Sequence, residues 1–600
     1  MLGAAIDAHD KANHASLDGV ARLWLGSQQG IALTRLFRRR FLASSGERAT
    51  IALYADSTYR LWCNGAHISR GPVYHHPHRR PIETYDLTPH LRDGDNVIAV
   101  LVYACGIHTD HSVHVGTPGL IARLLVGERV IDSDEQWRAT AQTGWSSDVP
   151  RRTDSIGHVE WFDANAAPFG WTETAFDDSG WSPAETHAPF APGMDGLYQV
   201  TGMPRMRHTF VPGTSMSLHA ATSDAPSLHA KLSTGAFGDA LDREPWTTPK
   251  SMRFDDDMTI VDFDGCEAAA WVLDLGAEHA GSIMFDFDSD SGGIIDIGWS
   301  EVMHAGRPPL SRKGCSYADR YVARPGANRW LGHSYSGGRY IVLILRRFKG
   351  AVRFARIGML AGRIDMNFGG RFACSDEQLN AVWQLCDRTM RVGVPGEGLT
   401  DCPTREQAPY IGDAHLVASW IGRLTGDYAH WRYLVREMFA SQKQSGLIKS
   451  IVFSGINHVL LDYELLAVIG ARDYWRATGD SDTLAEALPA AKRLLAWFDG
   501  RFGDDGLLDF AWENREHVFQ YGDDIDAANW NLFIDHCGMG WHNRGEPGID
   551  RRGRNAALHA LLVMTWDAMA TMTGEVDWTR RADEMRGRIR ERFWDPHREL

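Results

Sequence analysis

Three carboxylates, Asp401, Glu406 and Asp413, and one guanidinium, Arg405, fall within the thirteen residues Asp401-Cys402-Pro403-Thr404-Arg405-Glu406-Gln407-Ala408-Pro409-Tyr410-Ile411-Gly412-Asp413. Carboxyl groups held close together can divide acid and base work, one giving a proton to a leaving oxygen while another activates water. An arginine beside them can orient a hydroxyl or a carboxylate and offset their mutual repulsion. The segment joins two strongly helical stretches, a connection that ordinarily needs only turn formers and polar filler. Acidic residues also cap helix starts and proline stiffens loops, so residue types alone leave a solvated acidic turn as the other reading.

The elements around this segment change period along the chain. From about Leu23 to Arg207, short alternating runs such as Ala49-Thr50-Ile51-Ala52-Leu53-Tyr54 are punctuated by turn residues, the pattern of a sandwich. Asn64-Gly65 between two such runs marks a hairpin, because both residues tolerate the positive φ of a type I′ turn. A second strand-rich region follows from about His208 to Ile364, with glycine-rich turns expected at Ser291-Gly292-Gly293 and Ser336-Gly337-Gly338. Near Phe368 the period becomes helical: Leu379, Val382, Trp383, Cys386 and Met390 share one stripe behind an expected Ser375 N-cap. Seven helices are predicted, at 376–393, 413–425, 427–442, 458–478, 482–501, 555–573 and 575–594. The long connection 502–554 is rich in Asp, Asn, His and Trp, the composition of a loop that carries a site.

Bulk properties narrow the class. A net charge of −15 disfavours nucleic acid and anionic membrane surfaces, which need basic faces. The 22 Trp, 16 Tyr and 24 Phe are many rings for a chain with no membrane span; most serve packing, and a few are available to stack on sugars. Arg38-Arg39-Arg40 lies in a strand-like stretch and reads as a solvated face. The eight cysteines contain no C-x-x-C pair. Two histidine groups, His75/His76/His78 and His108/His111/His114, fit no ligand spacing and read as surface residues, so no metal and no cofactor are assigned. Residues 1–11 lack the basic and apolar regions of a secretory signal, which taken literally is a cytoplasmic start.

The segment Asp401–Asp413 resembles the signature of the α-L-rhamnosidases of glycoside hydrolase family 78, approximately D-C-P-x-R-(D)-E-R-x-G-W-x-G-D-A. Phe176-Asp177-Asp178-Ser179-Gly180-Trp181 and Tyr85–Asn96 are similar to that family's N-terminal sequences. The resemblance implies two jelly-roll-like β-sandwich domains, 20–207 and 208–365, followed by an (α/α)6 barrel over 366–600. Seven helices do not close six hairpins, so the barrel is expected to be incomplete at its C-terminal side, by about five helices. The resemblance also places Glu406 as general acid and Asp401, Arg405 and Asp413 on sugar-binding positions. Gln407, Pro409 and Tyr410 depart from the usual Arg, Gly and Trp, with Tyr410 in the place of the ring that stacks on the sugar. Phe533-Ile534-Asp535-His536 is similar to the family's F-I-D-W, putting His536 at an aromatic wall.

The implied activity is that of an inverting exo-acting hydrolase releasing terminal α-L-rhamnose from a glycoside or polysaccharide, with carbohydrate as the only partner named. The family's general base is a glutamate much nearer the C-terminus, so none is named here; Glu513 and Glu516 are substitutes for it if the chain is complete, and otherwise read as acidic loop surface. Two rivals stay open: a helical-barrel hydrolase or lyase acting on another deoxy sugar or an acidic one, and a carbohydrate-binding protein without turnover. Linkage, oligomeric state and calcium binding are not legible in the residues.

Overall fold

The computed structural model describes residues 17–597 except 115, 154, 191–197, 200, 227–234, 250–252, 256–257, 263–266, 395–397, 456–458, 510–529, 533 and 535–553. Period-two patterning over 22–187 builds two six-stranded antiparallel sheets. In one, Ala49–Asp56 runs between Gly119–Val126 and Glu83–Asp86; in the other, Leu33–Ala43 pairs with Gly94–Ala104 along its whole length. Their inner faces meet on Phe37, Leu53, Leu61, Val100 and Trp137, all fully buried. Asn64 (φ 51°) and Gly65 (φ 84°) make the expected turn, and Asn64 Oδ1 accepts the Val97 amide at 2.9 Å, tying the hairpin to its neighbour.

The basic triplet is not a solvated face. Alternation along the strand turns Arg38 to the face opposite Phe37, where the loop 171–178 covers it: it is fully buried and donates to Asp178 at 2.7 Å, with the Trp171 carbonyl also in contact. A buried charge needs such partners. Arg38 thereby clamps the loop 171–178 onto the sheet.

The second strand-rich region is one continuous sheet of twelve strands rather than a pair of separate sheets. The cause is the 22-residue strand Ala268–Ser289. Its first half pairs with Ser336–Arg346 and its second half with Gly326–Leu331 and Ala351–Ile364, with a register break between Asp274 and His279. The sheet folds over Trp271, Phe285, Ile297, Tyr321 and Leu343. Ser336-Gly337-Gly338, expected as a turn, lies inside a strand. A short helix, α1 (Ala236–Asp242), was not signalled by periodicity.

All seven predicted helices are present: α2 (Glu377–Val392), α3 (Ile411–Thr425), α4 (Ala429–Ala440), α5 (Leu461–Thr478), α6 (Ser481–Asp499), α7 (Ala556–Thr573) and α8 (Val576–Phe593). α5 is central, packing on α3, α4, α6 and α7. The N-cap of α2 is Asp376, whose carboxylate accepts the Gln378 and Leu379 amides, rather than Ser375. Gly426, Gly479 and Gly574 end α3, α5 and α7 in the left-handed conformation that glycine adopts without strain. The apolar stripe of α2 is uncovered: Leu379, Val382 and Leu385 are each at least half exposed.

The first sandwich is locked to the helices by residues that read as surface. His76 is buried and its Nε2 lies 3.0 Å from the Glu437 carbonyl, while Arg79 donates to the buried Glu437 carboxylate at 2.8 Å. His111 stacks on Tyr74 with ring centroids 4.9 Å apart. The six histidines therefore include interface residues, and their ring nitrogens do not converge as a ligand set among the described residues. No helix among the described residues is long and apolar enough to cross a membrane.

Candidate active site

The segment 401–413 divides between a loop and a helix. Asp401 to Tyr410 form the loop, and α3 begins at Ile411, so Asp413 sits in the first turn of that helix where the macrodipole favours a carboxylate. The loop closes on itself: the Asp401 amide donates to the Ala408 carbonyl, and the Ala408 amide donates back to Asp401 Oδ1, both at 3.0 Å. Gln407 makes the reversal with φ 56°, and its side-chain amide donates to Pro403 (2.9 Å) and Tyr335 (3.2 Å) carbonyls. An arginine would present a charge to that buried position; glutamine satisfies it with neutral donors.

Glycine at 337 lets this loop sit on the second sheet. A Cβ there would lie 2.8 Å from both the Pro403 carbonyl carbon and Thr404 Oγ1. Thr404 Oγ1 is 3.0 Å from the Gly337 carbonyl and 2.5 Å from Glu301. The Ser-Gly-Gly run is thus a seat for the loop, a use that neither turn propensity nor hydrophobic pattern discloses.

The loop gathers Asp401, Arg405, Glu406 and Tyr410. Arg405 Nη1 is 2.6 Å from Glu406 Oε1, and the Glu406 side chain keeps 21% exposure, open to a ligand yet not in bulk water. Asp401 and Glu406 are hydrogen-bonded, and with Cys402 their ligating atoms lie within 4.8 Å of one another. Burial, reinforced by the Glu406 hydrogen bond and charge, raises the Asp401 carboxyl to about 8. The proton that two such close carboxyls share therefore rests on Asp401. The same atoms form the one cation-sized cluster of acidic and thiol ligands among the described residues, yet the Arg405 guanidinium already supplies its positive charge.

Tyr410 stands between these groups and Asp413. Its phenol is raised far above its ordinary value by burial and by Glu406, Asp110 and Asp401. Its ring meets Tyr463 edge-on at 6.4 Å, and the Tyr463 hydroxyl donates to Asp413 at 3.3 Å. Asp413 thus belongs to the same wall as Tyr410, reached through Tyr463.

Asp110, from the first sandwich, was missed by sequence reasoning because it lies about 300 residues from the loop in sequence. Its neighbour Thr109 accepts the Gly455 amide at 2.9 Å, and Ile451, four residues before Gly455, bridges to Tyr410. Residues within the long connection reach the same region: Trp530–Asn531 pairs with Val459–Leu460, and the Ile534 amide donates to Asp462 at 3.0 Å, next to Tyr463. His536, Glu513 and Glu516 lie outside the described residues.

Two family models match the chain: the bacterial alpha-L-rhamnosidase 6 hairpin glycosidase domain over residues 367–600, and the alpha-L-rhamnosidase N-terminal domain over residues 45–196. An alpha-L-rhamnosidase of Formosa agariphila is 20% identical over 496 residues, covering 77% of this chain and 44% of that protein. One of Streptomyces avermitilis is 28% identical over 208 residues, covering 32% of this chain and 17% of that protein. The chain therefore spans less than half the length of these relatives. Among solved structures, the family 78 rhamnosidase of Bacillus sp. GL1 superposes with a TM-score of 0.79 at 19% identity, over 97% of this chain and 78% of the other.

The helical region that carries the acid–arginine loop matches the six-hairpin glycosidase class over residues 367–600. Within it, the two matched regions are similar to alpha-L-rhamnosidase domains, the N-terminal domain over 45–196 and the glycosidase domain over 367–600.

Proposed function

We propose that the chain carries the acid half of an inverting exo-α-L-rhamnosidase, with Glu406 delivering the proton to the leaving oxygen and Asp401, Arg405, Asp413 and Tyr410 holding the terminal sugar. The observation that carries this reading is the hydrogen-bonded Asp401–Glu406 pair beside Arg405, part-exposed at the mouth of the helices. Such a pair stores a proton near neutral pH where an isolated carboxyl loses it. The two groups are too close to serve as acid and base across a sugar, since an inverting pair stands roughly 6.5–9.5 Å apart to admit a water. Asp401 is accordingly the proton partner of Glu406, and the base belongs to the opposite side of the ring. The helices α2–α8 are read as part of an (α/α)6 barrel, with domain divisions near residues 207 and 365.

The test is hydrolysis of aryl α-L-rhamnosides and a natural rhamnoside, with the first-formed sugar observed by proton NMR. Release of the β-anomer first is expected; the α-anomer first rejects inversion. A panel of aryl glycosides of other deoxy sugars and of uronic acids tests the identity of the sugar. Equal or better turnover of one of these points to the rival specificity that Gln407, Pro409 and Tyr410 leave open.

Gly337→Ala tests the seating of the loop. The added methyl displaces Pro403 and Thr404, and a shift near 1 Å is enough to cost up to about 10²-fold in rate. The expected result is a fall of roughly tenfold or more in kcat/KM with the far-ultraviolet circular dichroism unchanged. Unaltered kinetics show that the sheet does not position the loop.

A further inference from the structure

A second cleft lies where the first sandwich meets the twelve-stranded sheet, with a volume of about 690 Å³. None of its lining comes from the helical region, so it is separate from the Asp401–Glu406 loop. Its size falls in the range of about 300–1,000 Å³ typical of organic-ligand sites, well above what an ion or a few waters fill.

One wall is aromatic. Trp62, Trp145, Trp171 and Phe210 are half-buried and Phe169 is 43% exposed. Rings of this kind offer flat apolar surface while their surroundings stay polar. Beside these rings the rim is cationic: Arg92, Arg329 and Arg356 line the cleft and are all exposed, with Arg329 6.0 Å from the Phe169 ring centroid and Arg356 5.4 Å from that of Phe210. Arg329 lies 3.2 Å from Glu173 and 3.4 Å from Asp286, and Arg356 donates to Asp286 at 2.6 Å. Arg92 donates to neutral oxygens, the Asn64 carbonyl and Thr174 Oγ1. Three guanidiniums thus face two carboxylates, and burial holds the nearby His67 neutral by lowering its pKa far below the ordinary value. This is a local positive excess on a chain whose net charge is −15.

The supports are rigid. Arg38 clamps Trp171 and the residues after it, and the Asn64-Gly65 hairpin is pinned through Val97. Trp62 and Trp171 meet edge to face at 5.2 Å.

We infer that this cleft binds an anionic oligosaccharide, its pyranose rings against the aromatic wall and its carboxylate or sulfate groups on Arg329, Arg356 and Arg92. Planar guanidinium forks match both acidic groups in geometry. A neutral glycan would leave the positive excess of the rim uncompensated, and a simple anion would leave the aromatic wall unused. The inference does not require hydrolysis at Glu406.

The experiment is isothermal titration of the full chain carrying Glu406→Gln, so that no substrate is consumed. The ligands are an oligogalacturonide, a sulfated oligosaccharide of similar length and neutral cellohexaose. At least one acidic ligand is expected to bind tenfold or more tightly than cellohexaose, and the two acidic arms show whether carboxylate or sulfate is preferred. Adding Arg329→Ala and Arg356→Ala together is expected to weaken that binding tenfold or more. Phe169→Ala, an exposed position, is expected to weaken both acidic and neutral binding several-fold. Melting temperatures of the variants serve as the folding control. Equal affinity for the neutral glycan, no binding of either acidic glycan, or acidic binding that survives the double arginine substitution each overturns the inference. The proposed hydrolysis is read separately by aryl rhamnoside turnover in the Glu406 parent.

Discussion

Glu406→Gln is expected to lower kcat on a natural rhamnoside by about 10²–10⁴-fold, the usual contribution of a positioned general acid. Glutamine keeps the shape of the side chain and a hydrogen bond to Asp401, but it cannot pass a proton to the leaving oxygen. It also dissolves the 2.6 Å ion pair with Arg405, freeing that guanidinium without vacating the site. KM is therefore expected to move little. An aryl rhamnoside with a strongly acidic phenol departs with little protonation, so its rate is expected to fall far less. The contrast between the two substrates is the diagnostic, since a folding defect lowers both alike. Equal retention of activity on both substrates rejects Glu406 as the acid, and equal loss with a lowered melting temperature assigns it a structural role.

Legibility in the sequence followed the range of the interactions involved. The seven helices were readable because their stripes, glycine stops and caps are local, and the Asn64-Gly65 hairpin because its positive φ angles are a property of two adjacent residues. The reactive loop was readable for the same reason: three functional side chains fall within the six positions from Asp401 to Glu406, and a fourth, Asp413, in the first turn of α3 just beyond. What escaped depended on partners far away in the chain. Gly337 looked like a turn and is a seat for Pro403 and Thr404. Arg38 looked solvated and is buried on Asp178. His76 looked like surface and closes the first sandwich onto Glu437. Asp110 gave no signal at all, since nothing near it in sequence marks it as a neighbour of Tyr410. The location of the shared proton also escaped, because residue types placed a carboxyl near an arginine without saying which of the two acids the guanidinium would touch.

That location makes the pH profile the second large effect. The Asp401 carboxyl is raised to about 8 by burial and by Glu406, so the pair is expected to retain its proton through neutral pH and lose it as the pH climbs past about 8. If this proton is the one transferred, kcat on a natural rhamnoside is expected to fall about tenfold per pH unit above that point, the slope of one ionisation belonging to the pair as a whole. Asp401→Asn removes one acid and its repulsion, leaving Glu406 beside Arg405. The alkaline limb is then expected to move several units toward acid, and activity at pH 7 to drop by roughly 10²-fold. Stability supplies a second readout whose sign follows from proton binding. Between the unfolded carboxyl value near 4 and the folded value near 8, the native chain holds a proton that the unfolded chain has released, so this site costs stability as pH rises through that window. In Asp401→Asn that slope is expected to flatten, with the melting temperature gaining on the parent between pH 5 and 8, as measured by calorimetry. An alkaline limb left in place by Asp401→Asn means the transferred proton does not belong to this pair.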